Sequence, residues 1–216
     1  MDKELENLAK SLATTGFDAK EIWNIASQRL TREELEKLWG IPRQNIANFV
    51  LSCFHNLDLK SPFLDIGCGK RSYKPEAIKE LGHGILYIAL DHYLPNDKTV
   101  PIKLPNLLAD TSCLPFVPSS INTVVCTEVL EHVNDDHLAL EEISRVLKKE
   151  GILISTLPCR DIPKHEKLPY QIDYRRYAPE QVESLLKTHG FNILFLESKF
   201  LFTDLEINIL ALAQKE

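Results

Sequence analysis

The chain lacks any apolar run approaching the roughly 20 residues needed to cross a bilayer. Its opening stretch, MDKELENLAK, is charged where a signal peptide turns apolar. No membrane insertion is expected, and a cytoplasmic setting is. The chain also lacks a basic surplus: 25 Lys and Arg stand against 31 Asp and Glu, for a net charge of -6. A broad surface able to displace counterions from a phosphate backbone is therefore not expected, nor is a nucleic-acid partner. The five cysteines are odd in number and form no Cys-x-x-Cys pair. This spacing argues against zinc ligation and reads as reduced intracellular thiols. Internal repeats and low-complexity segments are absent as well. No spacing along the chain brings histidines and carboxylates into a metal site, and no motif sets an oligomeric state.

What is present is enough for one sizeable domain: 216 residues, 44% of them hydrophobic. Residues 1–57 carry helical periodicity and predict a helical extension or lid. Leu5, Leu8, Ala9, Leu12 and Ala13 share a face, and a second helix from Asp18 buries Ile22, Trp23 and Ile25. Thr31 and Glu34 form a capping-box signature for a third helix, which is expected to stop at Gly40 and Pro42. A fourth helix presents Ile46, Phe49, Val50, Cys53 and Phe54, while Arg43, Gln44 and Asn45 stand where a lid would offer polar groups.

Residues 58–216 change texture, to short apolar runs separated by helix-length segments. That alternation predicts an α/β domain with a mostly parallel sheet covered by helices. Strands are expected at 63–66, 85–90, 106–108, 123–127, 152–156, 192–197 and 206–213, and helices at 75–81, 137–149 and 179–189. Two segments break the rhythm: 92–105, with three prolines, and 157–178, which is too polar and aromatic for a simple crossover. Ordered loops at the carboxyl ends of strands are where open sheets collect binding residues.

The first strand runs into Asp65-Ile66-Gly67-Cys68-Gly69, a turn whose glycines let a ligand approach the backbone closely. Asp91 ends the second strand 22 residues past Gly69, where a carboxylate can accept both hydroxyl protons of an adenosyl ribose. These two features suit NAD as well as S-adenosylmethionine. A dinucleotide fingerprint, however, wants Gly or Ala as its sixth residue, and Ser72 stands there. After the third strand, Asp110, with Thr111 beside it, is positioned to accept a hydrogen bond from an adenine amine, although Asp-Thr-Ser is also good turn chemistry. Glu128 opens the segment after the fourth strand, and His92 follows the ribose carboxylate, beside the expected adenine.

Over about residues 61–198 this order of segments resembles the class I S-adenosylmethionine-dependent methyltransferases, in particular the type 11 methyltransferase domain. The resemblance implies a Rossmann-like, seven-stranded sheet with a reversed last strand, and S-adenosyl-L-methionine as cofactor. It assigns ribose to Asp91, adenine to Asp110 and the methionine part to the Gly67 and Gly69 loop; Glu128, by its place after the fourth strand, is a candidate to line the methionine end. Arg71 departs from the family's third glycine. The run Gly67-Cys68-Gly69-Lys70-Arg71-Ser72-Tyr73, with His165, Pro169, Asp173-Tyr174 and Arg176-Tyr177 downstream, resembles a subgroup tied to glycan or cell-envelope biosynthesis.

The expected activity is methyl transfer to a small-molecule or glycan-like acceptor. His132 and His165 are the candidate bases, each also readable as a structural histidine. Tyr174, Arg176 and Tyr177 are the candidate substrate residues, and with Arg175 they suit an anionic acceptor. Two other functions fit the same residues. One is a nicotinamide-dependent oxidoreductase. The other is a non-catalytic S-adenosylmethionine-binding protein whose helical N-terminus engages a partner.

Overall fold

In the computed structural model, residues 32–69, 72–93, 105–160, 172–202 and 205–216 are described. The chain runs α1 (Arg32–Asn56), β1 (Phe63–Ile66), α2 (Lys74–Leu81), β2 (Tyr87–Asp91), β3 (Leu107–Leu108) and β4 (Ile121–Thr127). A 3-10 turn (Leu130–His132) leads into α3 (Asp136–Val146), β5 (Leu147–Pro158), α4 (Pro179–Thr188), β6 (Phe191–Phe202) and β7 (Leu205–Lys215).

Successive residues of a strand point to opposite sides of the sheet, and in β1, β4 and β5 both sides are apolar. Phe63, Val125 and Ile154 pack on one side under α1 and α2, against Phe49, Val50, Phe54 and Ala77. Leu64, Val124 and Leu153 pack on the other, against Leu140, Ile143 and Val146 of α3 and Leu186 of α4. Burial on both faces is why these strands read as unbroken apolar runs. Asp135 caps α3 by accepting from the Leu138 amide at 3.0 Å, and Pro179 with Gln181 starts α4.

The strand order is β3-β2-β1-β4-β5-β7-β6. All neighbours among β1 to β5 are parallel, whereas β7 runs antiparallel to both β5 and β6. The dinucleotide sheet has the order 3-2-1-4-5-6 without a reversed strand wedged beside the fifth. The observed topology is therefore the class I methyltransferase one, and it speaks against the nicotinamide reading. β1 and β4 are the neighbours from which the chain winds outward in opposite directions, so the crevice opens above their carboxyl ends.

Two boundaries differ substantially from expectation. α1 continues through Gly40 and Pro42 instead of dividing there. A proline deletes one helical hydrogen bond, and the packing of Val50, Cys53 and Phe54 in the core outweighs that loss. The helix expected at 137–149 ends at Val146, because Leu147 is buried and pairs with Ile121 as the start of β5. Lys148 and Lys149 extend the helical pattern locally, but tertiary pairing decides the matter. α1 completes a core layer, and Arg43, Gln44 and Asn45 are not among the residues lining the cavity above the sheet. The two helices expected before it, and the Thr31 cap, lie outside the described residues.

Candidate functional site

Above the carboxyl ends of β1, β2 and β4 lies a cavity of about 670 Å³. Its floor is the turn after β1, where Gly67 and Gly69 have φ of +68° and +55°, the left-handed region that favours glycine. The amides of Gly67 and Cys68 donate to the Leu90 carbonyl at 2.8 and 3.1 Å, which fastens the turn to β2. Space matters as much as dihedral angle. A Cβ on Gly67 would sit 2.3 Å from Cγ2 of Val129, which packs over the turn from β4.

Asp91 grips both sides of the crevice. Its Oδ2 accepts the Gly69 amide at 2.8 Å and its Oδ1 accepts the Tyr93 amide at 3.1 Å. A carboxylate offers about four acceptor positions, so two hydroxyls can still be received. His92 lies 3.2 Å from Asp91 Oδ1, but its ring is 60% exposed, so the ion pair contributes little. Opposite, Asp110 lines the cavity while its Oδ1 accepts the Ser112 amide at 2.7 Å. The turn and ligand roles foreseen for it are therefore compatible. Glu142 and Arg145 hold this loop from α3: Glu142 accepts the Leu114 amide at 2.7 Å, and Arg145 donates to the Phe116 carbonyl at 2.8 Å. Thr111, buried beside Asp110, also lines the wall.

The structure corrects the placement of Asp65. It is buried beneath the loop and is not part of the cavity wall, because its Oδ2 accepts the Tyr87 hydroxyl at 3.0 Å and the Tyr73 amide at 3.2 Å. It thereby ties the start of α2 to β1 and β2. Burial pushes its carboxyl up to about 7, against the two hydrogen bonds.

Glu128 does line the cavity. Its φ is +52°, a sparsely populated conformation for a residue with a Cβ. Two contacts with β5 hold it: the Glu128 amide donates to the Thr156 carbonyl at 3.0 Å, and Thr156 Oγ1 donates to Glu128 Oε1 at 2.9 Å. Burial also raises this carboxyl to about 7.

His132 and Tyr174 also line the cavity, along with Val133, Asn134 and Ile172. His132 Nδ1 lies 2.8 Å from Asp173 Oδ1 and 3.2 Å from the Ile172 carbonyl. Arg176 and Tyr177 are not on the wall, contrary to expectation. Arg176 pairs with Asp173 Oδ2 at 2.5 Å, and the buried Tyr177 donates its hydroxyl to Asp136 at 3.0 Å. Arg175 is committed too, donating to the Val133 and Asn134 carbonyls at 2.9 and 2.6 Å and pairing with Asp136 at 3.1 Å. All three brace the turn around His132. His165 and Arg71 lie outside the described residues. Val129, Asn134 and Ile172 were missed because single apolar or amide residues carry no chemical signature. Among the described residues no three His, Cys, Asp or Glu side chains converge as a metal site, and no helix is long and apolar enough to cross a membrane.

Residues 64–155 match the methyltransferase-domain family Methyltransf_11. A curated relative is the arginine-hydroxylase NDUFAF5, mitochondrial, of Rattus norvegicus, 28% identical over 69% of this chain and 47% of its own length. The chain thus spans about half of that protein, or less in the case of its mouse and human counterparts. The O-methyltransferase resE of Aspergillus sclerotiorum is 24% identical over 88% of this chain and 69% of its own length. Among solved structures, the 1,6-didemethyltoxoflavin-N1-methyltransferase of Burkholderia thailandensis, with S-adenosylhomocysteine bound, superposes with a TM-score of 0.59. It is 15% identical over 86% of this chain and 91% of its own. That likeness is one of fold.

Two outcomes are expected. Gly67→Ala destabilises the fold by about 2 kcal/mol or more, through a positive φ and the collision with Val129. Adding Val129→Ala restores part of that loss, measured by urea denaturation. The second outcome concerns Asp65, whose ordinary value is 3.8 and whose folded value is about 7. Between these values the folded chain holds a proton that the unfolded chain has released. This group's contribution is therefore full below 3.8 and is lost as pH rises through 7. Asp65→Asn should flatten the fall of the urea midpoint across that window; an unchanged slope would show that the carboxyl is ionised when folded.

Proposed function

We propose that this chain, an S-adenosylmethionine-dependent methyltransferase by its domain and fold, methylates a small polar acceptor that must give up a proton. A hydroxyl of a glycan-like molecule is the finer reading. The observation that carries it is one cavity lined both by the glycine turn and Asp91 and by His132 and Tyr174.

The residues fit the cofactor. Asp91 would receive the ribose hydroxyls, Asp110 the adenine amine, with His92 alongside, and the Gly67 and Gly69 turn would admit the methionine part. Glu128 would face its ammonium. When bound, the cofactor supplies a sulfonium methyl for in-line displacement, the C–S electron pair staying on sulfur. The protein's task is alignment and exclusion of water. His132 would take the acceptor's proton, and Tyr174 would bound the acceptor.

An anionic acceptor loses its support, since Arg175 and Arg176 are spent on Asp136, Asp173 and backbone carbonyls. The subgroup signature continues to favour a polyhydroxylated acceptor. The hydroxylation in the rat relative's name belongs to a protein of which this chain spans 47%, and the methyl-transfer reading does not draw on it.

Calorimetry with S-adenosylhomocysteine tests the reading. Binding is expected, and Asp91→Ala should weaken it at least about tenfold through the loss of charge-assisted hydrogen bonds. Heat with NAD and none with S-adenosylhomocysteine or S-adenosylmethionine, on folded protein, would overturn it.

A further inference from the structure

We propose that His137 and His189 form a two-histidine site for a borderline divalent metal ion of the zinc type. Neither residue lines the cofactor cavity. His137 stands in the first turn of α3, and His189 is the C-cap of α4. The fold brings them together across 52 positions, with Nδ1 of His137 3.1 Å from Nε2 of His189 and ring centroids 5.2 Å apart. Two imidazole nitrogens held at about 2.0–2.1 Å by one ion stand about 3.3 Å apart in tetrahedral geometry and about 2.9 Å apart in octahedral geometry. The observed separation falls between these values. The nitrogens thus already stand at the bite of one ion, and turning the rings aims both lone pairs at it.

A metal takes neutral imidazole, and the surroundings favour that form. A hydrogen bond between two imidazoles needs a lone pair, so at least one ring is neutral while the contact exists. Burial of His189, with His137 beside it, holds its proton affinity below the ordinary histidine value. The acidic groups acting on it are Glu141, Asp136 and Asp135 of α3, which attract positive charge to the spot. Lys187, in the last turn of α4, is paired with Glu183. Asp135 and Asp136 are engaged elsewhere, with the Leu138 amide and with Arg175 and Tyr177. Among the described residues no third His, Cys, Asp or Glu joins the pair. Two nitrogens are therefore the protein's ligands, and water completes the shell.

Donor type sets the selectivity. Imidazole suits zinc, copper and nickel, whereas magnesium and calcium take oxygen ligands. Each ring ligates as a neutral tautomer, His137 through Nδ1 with its hydrogen on Nε2, and His189 through Nε2 with its hydrogen on Nδ1. An ion held this way ties the start of α3 to the end of α4. Because it binds the folded arrangement, it stabilises the fold by mass action. The same first turn of α3 carries Asp136, the partner of Arg175 and Tyr177, so the tie reaches the contacts that brace the segment before α4.

Calorimetric titration of the full chain with zinc chloride, alongside nitrogen-15 NMR of the histidine rings, tests this. Zinc is expected to bind near neutral pH and to move the His137 and His189 ring signals, assigned with His137→Gln and His189→Gln. Each variant should weaken that binding at least about tenfold, since even the outer partners of a metal ligand are worth about that much. Binding should fade as pH falls through the histidine range, where protons compete for the ligating nitrogens. Absence of zinc binding, affinity unchanged in both variants, or zinc binding that leaves both ring signals unmoved overturns the proposal. The urea midpoint without zinc checks that each variant folds. If one does not, the ring signals of the unmodified protein decide.

Discussion

The site depends on the contact between Gly67 and Val129. β1 and β4 are hydrogen-bonded parallel neighbours, so the turns leaving their carboxyl ends compete for one volume. They share it only because Gly67 lacks a Cβ, which would otherwise meet Val129 at 2.3 Å. Val129 reaches that point because Glu128 turns the chain through a left-handed conformation, and Glu128 is held there by Thr156 of β5. From the same glycine turn, the Gly69 amide reaches Asp91 on β2. One line of contacts thus sets the crevice from β5 to β2, and a change at Gly67 is felt at both ends.

Much of this was legible in the sequence because parallel strands buried on both faces leave apolar runs, and a turn before a helix leaves glycines. β1 emerged at its observed bounds for that reason, and the spacing from Gly69 to Asp91 marked a pair now joined by a 2.8 Å hydrogen bond. Asp110 carried two competing roles; its turn bond to the Ser112 amide is formed while the residue still lines the cavity, so the first role does not exclude the second. What was lost concerns direction. Asp65 belongs to the motif but points under the loop toward Tyr87, and no spacing rule reveals which side of a turn a carboxylate faces.

Direction also explains the misreading of Arg175, Arg176 and Tyr177. As residue types in a polar segment they suited a substrate anion. In the fold each meets a partner more than 35 positions away or its own Asp173, and such partners exist only once α3 and the 3-10 turn are packed. The continuous α1 and the early start of β5 follow the same logic, because a buried face or a paired strand overrides a local stop or a local helical preference. The left-handed Glu128 left no trace at all: its conformation is imposed by Thr156, and glutamate is not a residue that announces it.

The electrostatics of the wall add a constraint that the individual contacts do not. Asp91, Asp110 and Glu128 line it, and no Lys or Arg does among the described residues. Glu128 is held toward its neutral form by burial, so the wall carries an acidic group that a cation can ionise. An ammonium beside Glu128 lowers its proton affinity by the same free energy with which the carboxylate holds the ammonium. A sulfonium carries a positive charge that its thioether product lacks. An acidic wall therefore favours the methyl donor over the spent cofactor, and the strength of that preference depends on how far water is kept from the carboxylates.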